Sequence, residues 1–168
     1  MQYCQNCAAP LNKREIDGRK RDVCDNCGAI YYEQWKVSAG VCVVKDGRLL
    51  LIQRGINPWK GCWHMPAGYV EVGEDPCKAA EREALEETGL TVKVESLVNV
   101  YCDYEDPRGN VLVLIYNARI MGGELSITKE TLNYGFFTPA EISSLPLAGL
   151  CARQTIFDWI EHLEVRYE

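Results

Sequence analysis

Three glutamates, Glu83, Glu86 and Glu87, stand three and four positions apart in a stretch of good helix formers. On a helix that spacing places all three carboxylates on one face. Such crowding is repulsive, and Arg82 offsets only part of it. A hard divalent cation resolves the conflict, since magnesium or manganese takes oxygen ligands and sits between carboxylates and phosphates. The chemistry open to such a site is polarisation of a phosphoryl oxygen and activation of a water. Glu74 adds a carboxylate just ahead of the helix, where the helix dipole favours negative charge. A second group offers sulfur. Cys4-x2-Cys7 and Cys24-x2-Cys27 are separated by sixteen residues, the pattern of two zinc knuckles. Two disulfides or redox cysteines are the other readings of these four. With four protein ligands a zinc ion has no open position, so its role is structural.

The elements that must position these groups can be read from local chemistry. Val37–Lys45 is rich in β-branched residues and predicts a buried strand. Asp46-Gly47 predicts a tight hairpin turn, with Arg48–Arg54 as the return strand. Gly55–Pro66 reads as a loop holding Trp59 and Trp63, and Gly68 as the start of a loop that lets backbone approach the glutamates. Asp75 as N-cap and Pro76 at the first helical position open the glutamate helix, and Gly89 stops it. Thr91–Tyr104, Val111–Met121 and Tyr134–Phe137 are strand-like, with Pro107, Gly109 and Asn110 turning between the first two. Thr138-Pro139-Ala140-Glu141 is a capping box. Residues 150, 157, 160 and 163 are apolar at helical spacing. The sum is an α/β or α+β sandwich.

The chain has 168 residues and a change of character near residue 36. The expected domains are a four-cysteine zinc ribbon over 1–35 and an α/β domain over 36–168. A 35-residue ribbon is too small to fold on apolar burial alone, so metal supplies folding energy. Cys42, Cys62, Cys77, Cys102 and Cys151 read as buried small apolar residues. A net charge of −6 argues against a general nucleic-acid binder. Lys13, Arg14, Arg19, Lys20 and Arg21 read as a solvated surface. No apolar run spans a bilayer and no secretory pattern opens the chain, so a cytoplasmic protein is the expectation.

Residues 68–90 match G-x5-E-x7-R-E-U-x-E-E-x-G-U, with U a bulky aliphatic, through Gly68, Glu74, Arg82, Glu83, Glu86, Glu87, Gly89 and Leu90. This resembles the signature of the Nudix hydrolases. Two departures are Ala84, small at the first U, and Ala67, where the family often has glycine. The resemblance extends over roughly Val37–Leu163. It implies an α/β/α sandwich with a mixed sheet, and hydrolysis of the pyrophosphate bond in a nucleoside diphosphate linked to a second moiety. It further implies Glu83, Glu86 and Glu87 as magnesium or manganese ligands, with the carbonyl of Ala67 or Gly68 beside them. Arg82 would orient the carboxylates, and Glu74 would act through water. The general base is one of these glutamates or Glu130 on a later loop, with Glu124 a weaker choice. Trp59, Trp63, Tyr104 and Tyr134 are candidates to stack on a base, against the commoner role of aromatics in packing. His64 reads as a loop hydrogen-bonding residue.

Family members with a zinc ribbon include NADH pyrophosphatases and a group similar to FAD and ADP-ribose pyrophosphatases. The former carry a proline- and tryptophan-containing signature after the glutamate helix, and Thr91–Tyr104 has neither residue. The resemblance therefore favours ADP-ribose, FAD or a similar dinucleotide. NADH or nucleoside triphosphate hydrolysis is the alternative within the family. A non-catalytic nucleotide sensor using its ribbon for protein interaction is the alternative outside it. The expected partner is a small molecule, without nucleic acid or membrane; a homodimer is possible.

Overall fold

The computed structural model describes residues 2–165. The chain divides into two compact units, Met1–Gln34 and Trp35–Glu168.

The first unit is a three-stranded antiparallel sheet of β1 (Leu11–Ile16), β2 (Arg19–Cys24) and β3 (Ile30–Tyr31), in that order. Each Cys-x2-Cys pair sits in the same tight turn. Ala8 N donates to Cys4 O and Gly28 N to Cys24 O, both at 2.9 Å. The residue that closes each knuckle has positive φ: 57° at Ala8 and 74° at Gly28. Glycine takes that conformation freely and alanine does so at a cost.

The second unit centres on one long strand, β4 (Lys36–Lys45). Around it lie β5 (Arg48–Arg54), β6 (Trp63–His64), β7 (Ala67–Tyr69), β8 (Leu90–Asp103), β9 (Val111–Gly123) and β10 (Thr131–Phe137). The sheet order is β10-β5-β4-β9-β8, with β6 on β5 and β7 on β4. Strand β4 runs parallel to β9 from Lys36↔Val111 to Val43↔Ala118, and the other pairings are antiparallel. The mixed sheet is the one expected. Asp46 and Gly47 both have positive φ, as the hairpin turn requires.

Helices cover both faces. Helix α1 (Pro76–Thr88) is capped by Asp75, whose carboxylate accepts from Cys77 N and Lys78 N, and it ends at left-handed Gly89. Its Ala79, Ala80 and Ala84 pack on Ala39, Val41, Val43 and Leu50. Ala84 is small where the family pattern is bulky because this helix face lies directly on the sheet. On the opposite face, Cys42, Leu49, Leu51 and Ile115 pack with Ile142 of α2 (Pro139–Ile142) and with Cys151 and Ile156 of α3 (Gly149–Val165). Successive residues of β4 and β5 point to opposite helices, as the period of a strand demands. Thr138 and Glu141 form the expected capping box.

Four local readings need correction. Gly55–Pro66 contains strand β6, and Gly68 lies inside strand β7, because both short segments find partners in β5 and β4. The third strand-like segment begins at Thr131, three residues early, since its first residues pair with β5. Of the five remaining cysteines, Cys42 and Cys151 are buried; Cys62, Cys77 and Cys102 are half-exposed. Leu163, one of the apolar positions at helical spacing, lies in α3, but its side chain is outside the described residues.

Candidate active site

Arg82 organises the glutamate face, and its five N–H donors are all engaged. Nε and Nη2 grip Glu74 bidentately at 2.8 and 2.9 Å, and Nη2 also reaches Tyr69 O at 3.0 Å. Nη1 holds Glu83 at 2.7 Å and Glu86 at 3.0 Å. One guanidinium therefore ties the loop before α1, strand β7 and two helix carboxylates together. Glu74 is held down near about 2 by this fork, and Arg82 is raised in turn.

Glu87 is differently placed. It is 8% exposed and accepts one hydrogen bond, from Ala67 N at 2.8 Å. Burial pushes its carboxyl up to about 8, with the charges of Glu83 and Glu130 adding to the rise. Burial also raises Glu83. Glu83 lies so close to Gly68 that a Cβ there would stand 2.1 Å from its carboxyl carbon. Gly68 is thus required by close approach, not by its torsions. Its carbonyl accepts from Ser38 Oγ at 2.7 Å.

Of these groups Gly68, Arg82, Glu83, Glu86 and Glu87 line a cleft of about 690 Å³, and Glu74 stands behind them. Contacts lead across it from α1 towards α3. The Tyr69 ring lies 5.4 Å from the Arg108 guanidinium. Arg108 clamps Asp106 through Nε at 3.0 Å and Nη2 at 2.7 Å. Asp103 accepts from Cys151 N, in the first turn of α3, at 3.3 Å. Arg54 also lines the cleft, with Nε on Pro58 O at 3.0 Å and Nη1 3.4 Å from His64 Nε2. Burial, then the nearby Arg108 charge, lowers Arg54. His64 is buried and depressed to about 3, so it is neutral beside that guanidinium.

Of the four candidate aromatics, Trp59 alone lines the cleft. Trp63 is 7% exposed and packs edge-on against Phe137 in the core. Tyr104 is 66% exposed and meets Trp35 edge-on, and the Tyr134 hydroxyl is tied to Leu125 O. Glu130 stands exposed on the cleft lining, close enough for its charge to reach Glu83 and Glu87. Arg54, Arg108, Asp103 and Asp106 were not singled out from sequence. Nothing in their local sequence marks them; long-range pairing brings them together.

The donor set around Glu87 is all oxygen and includes a buried carboxylate with a single N–H partner. This fits a hard divalent cation. The four cysteine sulfurs are different. All four lie within 4.8 Å of one another, with Cys4–Cys27 at 3.5 Å and Cys7–Cys24 at 3.4 Å. At those separations the four cysteines are unbonded thiols, and the four-sulfur set fits zinc. The Tyr31 hydroxyl, 3.1 Å from Cys4 Sγ, lowers that thiol. Among the described residues the glutamates do not converge as tightly as the sulfurs, because Arg82 holds two of them.

A sequence model of the NUDIX domain matches residues 34–159, and one of the Nudix N-terminal zinc ribbon matches residues 2–33. The chain belongs to the Nudix family of pyrophosphohydrolases. It is 39% identical over 119 residues to an ADP-ribose pyrophosphatase of Methanocaldococcus jannaschii, covering 70% of this chain and 69% of that one. It is 28% identical over 167 residues to the NAD-capped RNA hydrolase NudC of Salmonella paratyphi C. That match covers 99% of this chain, which spans 63% of the relative's length. A NUDIX hydrolase structure from Nitrosomonas europaea superposes with a TM-score of 0.73 at 29% identity, over 84% of this chain and 80% of that one. No described helix is long and apolar enough to cross a membrane.

Proposed function

We propose that this chain hydrolyses the pyrophosphate bond of a nucleoside diphosphate joined to a second moiety, of the ADP-ribose or FAD type. The observation that carries this reading is the single guanidinium of Arg82, which is anchored by Glu74 and holds Glu83 and Glu86 on the lining of a cleft that also presents Arg54 and Arg108. Glu83, Glu86 and Glu87 would hold magnesium or manganese, with the Ala67 carbonyl, since Gly68 O is engaged by Ser38. When bound, the cation supplies phosphoryl polarisation and a more acidic water. Arg82 keeps the carboxylates oriented. Arg54 and Arg108 supply positive charge for phosphate oxygens, and the neutral His64 holds Arg54 without competing for its charge. Glu130, exposed on the cleft lining with its charge reaching Glu83 and Glu87, would take a proton from water. Zinc on Cys4, Cys7, Cys24 and Cys27 is the structural ion.

A second reading is favoured by the relative named as an NAD-capped RNA hydrolase, which matches across both units. There the same bond would lie at the end of an RNA, and the expected absence of nucleic acid would not hold. One panel tests both. Purified protein with magnesium or manganese is given ADP-ribose, FAD, NADH, nucleoside triphosphates and NAD-capped RNA, beside a Glu86→Gln, Glu87→Gln double variant. Release of AMP from ADP-ribose or FAD, reduced roughly 10³-fold in the variant, supports the first reading. Preference for the capped RNA transfers the weight to the second. Turnover of triphosphates alone overturns both.

A further inference from the structure

The cleft is much larger than a pyrophosphate needs, and its two ends differ in polarity. At its mouth stand Glu71, Lys129 and Glu130, all exposed. At the inner end Cys151, Ala152 and Thr155 of α3 share the lining with Val113 and Ile115 of β9, and Cys151 and Ile115 belong to one buried cluster. The i, i+1, i+4 spacing of the α3 residues makes this a continuous helical surface of small side chains. Thr155 offers little to a ligand, because its hydroxyl donates to Cys151 O at 2.7 Å.

Trp59 belongs to this end. Its backbone is left-handed, with φ of 61°, which a bulky residue rarely adopts. The indole is held against Gly149, where an added Cβ would stand 2.9 Å from the ring. A strained backbone kept in place by such a fit is a feature of ligand sites. A buried carboxylate lines this end: Asp103 is 4% exposed, and its oxygens accept from Glu105 N at 2.9 Å and Cys151 N at 3.3 Å. The Cys151 thiol also reaches it, and Asp106 carries a second charge close enough to act on Cys151. A carboxylate accepts only, and each oxygen has a second lone pair.

This end suits a flat, apolar ring that carries a hydrogen-bond donor. A sugar would leave its hydroxyls unsatisfied against valine, isoleucine and alanine. We propose that the nucleobase enters the inner end, beside Trp59 and under α3, with Asp103 accepting from an exocyclic amino group, and that the second moiety stays in the polar mouth. The enzyme then reads the base strictly and the other half loosely: adenine is preferred to hypoxanthine, while ribose, flavin or a hexose can stand at the far end. This orientation rests on the reading of the cleft as a diphosphate site.

Calorimetric titration of the zinc-loaded protein in magnesium buffer tests it with compounds that are not turned over. AMP should bind roughly tenfold more tightly than IMP and than ribose 5-phosphate. Ala152→Leu, a modest filling of the slot, should weaken AMP by a similar factor while thermal melting verifies that the variant is folded. A variant that does not fold leaves the wild-type AMP, IMP and ribose 5-phosphate comparison to decide. Equal affinity for AMP and IMP, tighter ribose 5-phosphate than AMP, or a folded Ala152→Leu with unaltered AMP affinity overturns the proposal. If the chain hydrolyses ADP-ribose yet fails these tests, the orientation alone is lost. If it hydrolyses nothing yet passes them, the catalytic reading is lost and the base site stands.

Discussion

In the N-terminal unit the buried apolar or cysteine side chains among those described are Cys4, Val23 and Cys24, whereas the C-terminal unit closes an apolar cluster on each side of its sheet. The two sets of candidate metal ligands differ accordingly. Four sulfurs face one another on two knuckles with matching backbone hydrogen bonds, and little else organises that unit. The glutamates instead sit on a helix fixed by a dense core, and one arginine and one glycine determine where they point. In the first unit an ion on the four sulfurs would make the structure. In the second the structure prepares a place for the ion.

The sharpest way to break that contrast is to remove the metals separately. Cys24→Ser, or a zinc chelator, should unfold residues 2–33, because a structural zinc contributes about 10 kcal/mol. Hydrogen exchange should then show lost protection in β1 and β2, with β4 and β9 retaining theirs. Equal loss in both would show that the second unit also depends on zinc. Magnesium removal should abolish turnover and leave every protected amide in place.

A smaller effect is expected at Gly68. Gly68→Ala drives a Cβ into the Glu83 carboxylate, so that side chain must turn away. Activity should fall roughly 10²-fold, with little change in melting temperature. A large drop in melting temperature would mean that strand β7, rather than Glu83, yields. Arg82→Lys comes next. Lysine cannot make the bidentate grip on Glu74 and still hold Glu83 and Glu86. The expected loss is roughly 10- to 100-fold in activity or metal affinity, read from a manganese titration; unchanged affinity would show that the carboxylates need no such anchor.

The smallest effect concerns pH. His64 titrates near 3 in the folded chain, below its ordinary value, first through burial and then through Arg54. The unfolded chain therefore takes up this proton more readily. The stability linked to His64 is complete above about pH 6.5 and declines as pH falls towards 3, by at most about 1.4 kcal/mol per pH unit. Denaturant melts at pH 7 and 5 should show a shallower acid decline in His64→Gln. Identical declines would place a charged His64 in the fold.

What was legible in the chain was local. Asp75, Pro76 and Gly89 bound α1 as their chemistry requires, and Asp46-Gly47 set the hairpin turn. The spacing of Glu83, Glu86 and Glu87 placed them on one helix, and the paired cysteines converge. What was not legible depends on distant partners. Trp59 and Trp63 are four residues apart in one loop-like stretch, yet one lines the cleft and the other enters the core through β6. Arg108 joins the site only because Lys36 pairs with Val111 and Lys36 Nζ donates to Arg108 O at 2.6 Å. No periodicity in either segment marks that meeting.

The parallel pairing of β4 with β9 also sets an order of assembly. Its first partners, Lys36 and Val111, are 111 − 36 = 75 positions apart, so this pairing is a non-local event of the kind that slows folding. A chain emerging from the ribosome completes α1 and its carboxylates at Thr88, and α3 begins 149 − 88 = 61 residues later. The glutamates of α1 are thus synthesised before the residues of β8 and β9 that complete their core and before the α3 residues that line the cleft. The cleft therefore joins residues made early in synthesis to residues made 61 or more positions later.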